Sequence, residues 1–128
     1  MATAAGIFAA TPATAAAERC GGTLTDYVGA DKDASYSGKD EEGSTVTLTF
    51  DRDKATFQEP GEKLSGTYDF TPQKTAPGLV NINTEEGDVV LELRGGKCAA
   101  GSTSVDKALL ELTTKGGGNE SFQLERTK

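Results

Sequence analysis

With 128 residues, 35% of them hydrophobic and 26% charged, the chain has room for one globular domain with a modest core. Its formal net charge of -7 excludes nucleic acid as a partner, because phosphate binding rests on clustered Lys and Arg and the basic residues here are scattered. There is no His, so neither a Ser-His-Asp or Cys-His nucleophilic site nor a Cys/His zinc site can be assembled, and the chain is read as non-enzymatic.

Residues 1–17 are rich in Ala and Thr and uncharged, and they end in the overlapping patterns Ala13-Thr14-Ala15 and Ala15-Ala16-Ala17. Small residues at those spacings match the end of a secretory signal peptide, although the basic start of such a signal is missing. The expectation is a signal peptide remnant over 1–17, a single domain over 18–128 and a secreted protein; a loose N-terminal helix is the alternative. The stretch is too short and too weakly apolar to span a bilayer, so no membrane span is expected. Cys20 and Cys98 fit export, since an even cysteine count in a secreted domain points to a bridge, which here would stabilise the fold by about 4 kcal/mol through loop closure.

Gly22 to Val28 is β-rich and is expected to be a first strand. Gly29 to Gly43 carries Asp31, Asp33, Asp40, Glu41 and Glu42, with Tyr36 its one large apolar group, and reads as an exposed loop or edge. In Ser44 to Phe50, the side chains of Val46, Leu48 and Phe50 alternate with Thr45, Thr47 and Thr49, which predicts a half-buried strand. Ala55 and Phe57 predict a short third strand, and Leu64, Tyr68 and Phe70 share a face of a fourth that ends before a loop from Pro72 to Gly78. Leu79 to Thr84 and Val89 to Arg94 flank Glu85-Glu86-Gly87-Asp88, a hairpin signal, with Gly95-Gly96 ending the second strand. Val105 to Thr114 is taken as a strand rather than a helix because Leu110 and Leu112 alternate with Glu111 and Thr113. Glycines 116–118 then turn the chain into Ser121 to Arg126, where Phe122 and Leu124 alternate with Gln123 and Glu125. Seven to nine short strands follow, with no helix after Ala17.

Sequential hairpins predict an all-β fold, an antiparallel up-and-down β-barrel of about eight strands with one disulfide; an immunoglobulin-like β-sandwich is the alternative. The run Gly43 to Phe70, with its Gly66-Thr67-Tyr68, and the closing strand from Phe122 to Lys128 resemble the repeated strand-turn-strand units of small secreted lipocalin-like (calycin) β-barrel proteins of bacteria. That resemblance implies a binding barrel, and the Ala- and Thr-rich leader with the Gly-rich, acidic region after it suits a bacterial exoprotein.

The span from Asp31 to Glu42 places Asp31, Asp33, Ser35 and Glu42 at positions one, three, five and twelve of a calcium-type loop. Tyr36 stands where the sharp turn needs Gly, and Lys39 puts a cation at position nine. An acidic surface loop is therefore preferred, and neither metal nor cofactor is assigned. Adjacent carboxylates such as Glu41-Glu42 and Glu85-Glu86 fall at turns and read as solvated charge rather than as an acid/base pair. Two binding functions remain. One is a barrel carrying a small apolar or amphipathic ligand, with Tyr36, Phe57, Tyr68, Phe70 and Phe122 as lining candidates, although the same residues also suit a packed core. The other is an extracellular protein-interaction or inhibitor module, a monomer acting through the Asp31 to Glu42 and Pro72 to Gly78 loops.

Overall fold

The computed structural model describes residues 19–75 and 77–128; the signal peptide remnant expected over 1–17 lies outside them. Eight antiparallel strands form a closed barrel in sequence order: β1 (Ser35–Lys39), β2 (Thr45–Asp51), β3 (Lys54–Glu59), β4 (Glu62–Thr71), β5 (Leu79–Thr84), β6 (Val89–Cys98), β7 (Val105–Thr114) and β8 (Asn119–Arg126). Closure is made by β1 against β8, through Tyr36 opposite Arg126, Ser37 opposite Glu125 and Gly38 opposite Leu124. The barrel expected from the hairpin series is thus present and the sandwich is not. Closing the sheet removes the open edges that would otherwise invite pairing between chains.

Alternation dictates which residues face inward. Val46, Leu48 and Phe50 on β2 are buried, as are Ala55 and Phe57 on β3, Val80 and Ile82 on β5, Leu91 and Leu93 on β6, Leu110 and Leu112 on β7, and Phe122 and Leu124 on β8. The inward aromatic rings meet one another in tilted and edge-on pairs, with ring centroids 5.0 to 6.3 Å apart. Phe57 and Phe122 lie 5.2 Å apart in one half, Phe50 contacts Tyr36 at 6.3 Å and Tyr68 at 5.0 Å lower down, and Tyr27 meets Phe70 at 6.3 Å at the end. Outward positions on β1 to β5 are mostly Ser, Thr, Asn and Lys, and Val90 is the one large hydrophobic exposed among the described residues. Such a surface is the reverse of the outward apolar band a membrane-spanning barrel needs. No helix among the described residues is long and apolar enough to cross a membrane.

Two glycines permit close strand approach. A Cβ on Gly38 would lie 2.3 Å from the Gln123 carbonyl oxygen, and one on Gly66 would lie 1.8 Å from that of Asn83. Both contacts are far inside van der Waals separation, so β1 and β4 can reach their neighbours only with hydrogen at these positions.

The structure corrects three expectations. Leu24–Val28 is a short helix, α1, not a strand: Thr23 caps it by accepting from the Asp26 amide at 3.2 Å, while the Thr23 amide donates to the Asp26 carboxylate at 3.3 Å. The stretch after it is not one loop, because Ser35–Lys39 forms β1 and buries Tyr36. Gly95 and Gly96 do not end their strand. They create a register shift between Arg94 and Lys97, after which β6 continues to Cys98.

Candidate functional site at the acidic barrel end

An up-and-down barrel sends alternate connections to opposite ends, and here the two ends differ in closure and in charge. At one end lie α1, the β2–β3, β4–β5 and β6–β7 connections and the C-terminus. Tyr27 and Val28 of α1 enter this end as a plug with 0% exposure. The Tyr27 hydroxyl donates to the Gly78 carbonyl at 2.7 Å and accepts from the Gly96 amide at 3.0 Å, and the Tyr36 hydroxyl donates to the Tyr27 carbonyl at 2.6 Å. Burial pushes the pKa of both phenols above the ordinary value, so both remain neutral donors at physiological pH. Arg126 reaches back from β8 and donates through Nη1 to the carbonyls of Asp26 and Val105, each at 3.2 Å. The disulfide Cys20–Cys98, with a Cα separation of 5.9 Å, ties the segment before α1 to the end of β6. The bridge expected from the cysteine count is present.

The other end carries the remaining four connections, Asp40 to Ser44, Pro60-Gly61, Glu85 to Asp88 and Lys115 to Gly118. Around it stand Asp40, Glu41 and Glu42 from the first connection, Glu59 and Glu62 flanking the second, Glu85, Glu86 and Asp88 in the third, and Glu120 at the start of β8. The lysines nearby are Lys39, Lys63 and Lys115. Glu59 and Glu62 are directly opposed across the β3–β4 turn. Partial burial, then the charges of Glu120, Glu62 and Asp40, push the Glu59 carboxyl above the usual carboxylate range. Among the described residues the ion pair that reaches this end is Lys54 with Glu85, at 3.9 Å. At the plugged end the charges nearly cancel, with Arg19, Lys32, Arg52, Lys74, Arg126 and Lys128 set against Asp26, Asp31, Asp33, Asp51 and Asp53. Most of the net negative charge of the chain therefore sits at one end.

The lining candidates are brought together inside the barrel. Tyr36, Phe57 and Phe122 are fully packed core residues, and Tyr68 and Phe70 are half-buried against the same cluster. Tyr68 points its hydroxyl at the Arg52 carbonyl, and the Phe70 ring lies against Gly78.

The calcium candidates are separated. Asp31 and Asp33 lie at the plugged end, where Asp33 pairs with Lys128 at 3.5 Å, Ser35 begins β1, and Glu42 lies beyond the far end of that strand. A five-residue strand spans roughly 16 Å, so these side chains cannot share one ion. No group of three or more Asp, Glu, Cys or His among the described residues is placed to hold a metal. Of the two loops expected as contact surfaces, Asp31 to Glu42 is split by β1, with Asp31 and Asp33 at the plugged end beside the Pro72 to Gly78 connection and Asp40 to Glu42 at the other end. The chain matches no family model, and comparison with curated proteins and with solved structures finds no similar protein.

The acidic end was only partly visible in the sequence. Glu59-Pro60-Gly61-Glu62 could have been read as a hairpin turn that opposes two carboxylates, but nothing local brings Glu120 and Asp40 to them; closure of the barrel does.

Proposed function

We propose that this chain is a secreted, non-enzymatic interaction module of lipocalin-like build that uses the acidic end of its barrel to bind a basic extracellular protein or peptide. The observation that carries this reading is the polarised charge: four connections gather carboxylates at one end while the opposite end is plugged and nearly neutral. Like charges held side by side oppose folding, and a cationic partner removes that opposition on binding. Such a field also orients and speeds encounter with a basic surface. A closed, disulfide-stapled barrel suits an oxidising extracellular setting and holds the four connections rigidly in relation to one another. The lack of His and the engagement of both Cys in a bridge support a binding role rather than catalysis. With the inward positions occupied by side chains, the outer end is the surface open to a partner in this closed form.

The test is titration of the oxidised protein with a short lysine-rich peptide at low and at physiological salt. Binding should weaken as salt rises, and the triple variant Glu59→Gln/Glu62→Gln/Glu120→Gln should lose about tenfold in affinity, from one half-buried and two exposed charges of roughly 0.5 kcal/mol each. Absence of binding at low salt, or equal binding by the triple variant, would remove the basis of this reading.

A further inference from the structure

We infer that the Cys20–Cys98 disulfide is a redox-controlled latch on the plug, and that a dithiol reductant opens this end of the barrel to an apolar ligand. The inference is independent of the acidic end. Three features point to a latch rather than a staple of the whole fold. First, the barrel closes without the plug: every strand from β1 to β8 has both neighbours, and none of those ladders includes residues 19–34. Second, α1 is five residues long, too short to persist as a helix on its own, and it is held in place by tethers on both sides. On its N-terminal side the covalent tether is the disulfide, helped by Gly78 donating to the Gly21 carbonyl at 2.9 Å and Gly21 donating to the Thr103 carbonyl at 3.3 Å. On its C-terminal side Arg126 and Tyr36 donate to the Asp26 and Tyr27 carbonyls at 3.2 and 2.6 Å and the Ala34 amide donates to the Val28 carbonyl at 3.0 Å, so beyond the disulfide the tethers of the plug are hydrogen bonds alone; Gly29, at φ 87°, has a backbone conformation that suits a hinge. Third, both Cys20 and Cys98 are partly rather than fully buried, which places the bridge at the rim of the barrel end instead of in its core.

What the plug fills is apolar. The Tyr27 ring packs against Phe70, and its hydroxyl sits in a notch made by Gly96, where a Cβ would lie 2.7 Å from Val105 Cγ2 and 2.9 Å from the Tyr27 oxygen. Withdrawal of Tyr27 and Val28 vacates a chamber floored by Tyr36 and walled by Phe70, Val105 and Gly96. A flat apolar ligand with one hydrogen-bonding group would replace both the ring and the hydroxyl, meeting the Gly96 amide and the Gly78 carbonyl that Tyr27 now satisfies.

One thiolate of the dithiol attacks a sulfur of the bridge and forms a mixed disulfide. The second thiol then displaces the protein sulfur, so the dithiol is oxidised to its own disulfide while Cys20 and Cys98 are reduced to two thiols.

The experiment compares oxidised protein, dithiothreitol-reduced protein and the Cys20→Ser/Cys98→Ser variant. The readouts are titration with anilinonaphthalene sulfonate, thermal unfolding and amide hydrogen exchange. A short tether is worth on the order of a hundredfold or more in local concentration, so breaking it should speed exchange of the Tyr27 and Val28 amides by about that factor. The reduced protein and the variant should keep a cooperative transition and bind one dye per chain, whereas the oxidised protein binds none. Two results would overturn the inference: a reduced protein that keeps its transition yet binds no dye, or loss of cooperative unfolding in both reduced forms, which would make the bridge a staple of the entire fold.

Discussion

Tyr27→Phe isolates the polar attachment of the plug from its packing. The substitution keeps the ring against Phe70 but deletes the oxygen that donates to the Gly78 carbonyl at 2.7 Å and accepts from the Gly96 amide at 3.0 Å. Both backbone groups lose their partner in a region where Tyr27 is 0% exposed, so water cannot replace it without opening the end. A buried polar group left unpaired costs about 1–3 kcal/mol, so the two together predict a loss of about 3 kcal/mol. For a domain of this size that lowers Tm by about 10 °C. Tyr36→Phe strands only the Tyr27 carbonyl and should lose about 1 kcal/mol. Urea unfolding of the two variants and the parent, with the slope unchanged, measures both quantities. Because burial raises the phenol pKa, the unfolded chain ionises first as pH rises. The stability of the parent is therefore whole below about pH 10 and falls above it, and Tyr27→Phe should flatten that fall. If Tyr27→Phe were within about 0.5 kcal/mol of the parent, the hydroxyl would not be holding the plug.

Two further outcomes follow from the barrel. Gly66→Ala forces a methyl group to 1.8 Å from the Asn83 carbonyl oxygen and should destabilise by about 3 kcal/mol, whereas Gly43→Ala meets nothing within 4 Å and loses only what its φ of 84° imposes; thermal melts of the pair separate collision from conformational cost. Glu59→Gln should stabilise by about 0.5 kcal/mol at neutral pH, because the folded state raises the carboxyl pKa and disfavours the charged form. In the parent this residue's contribution is therefore most favourable below the usual carboxylate pKa and is lost as pH rises through the raised value; urea midpoints measured across the acidic range should show that component missing in the variant.

The strands were legible in the sequence because their inward faces are marked by Val, Leu, Ile and Phe at period two, as in Val46-Leu48-Phe50 and Phe122-Leu124. β1 escaped because its inward face holds only Tyr36 and Gly38, the latter emptied of a side chain by the approach of the Gln123 carbonyl, so its apolar alternation is hidden. α1 escaped because Thr23, Thr25, Tyr27 and Val28 suit strands individually; Thr23 and Asp26 at capping-box spacing were the local signal for a helix start. Cys20 and Cys98 announced their bridge, but not that it anchors a plug. The acidic end depended on topology, since only barrel closure brings Glu120 and Asp40 beside the Glu59-Glu62 turn.

The most direct test of binding at the acidic end is an amide NMR titration of the oxidised protein with the lysine-rich peptide. Saturable shifts should be confined to Asp40 to Ser44, Glu59 to Lys63, Glu85 to Asp88 and Gly116 to Glu120, and should vanish at high salt. Shifts centred instead on α1 and Pro72 to Gly78, or none at all, would contradict the account.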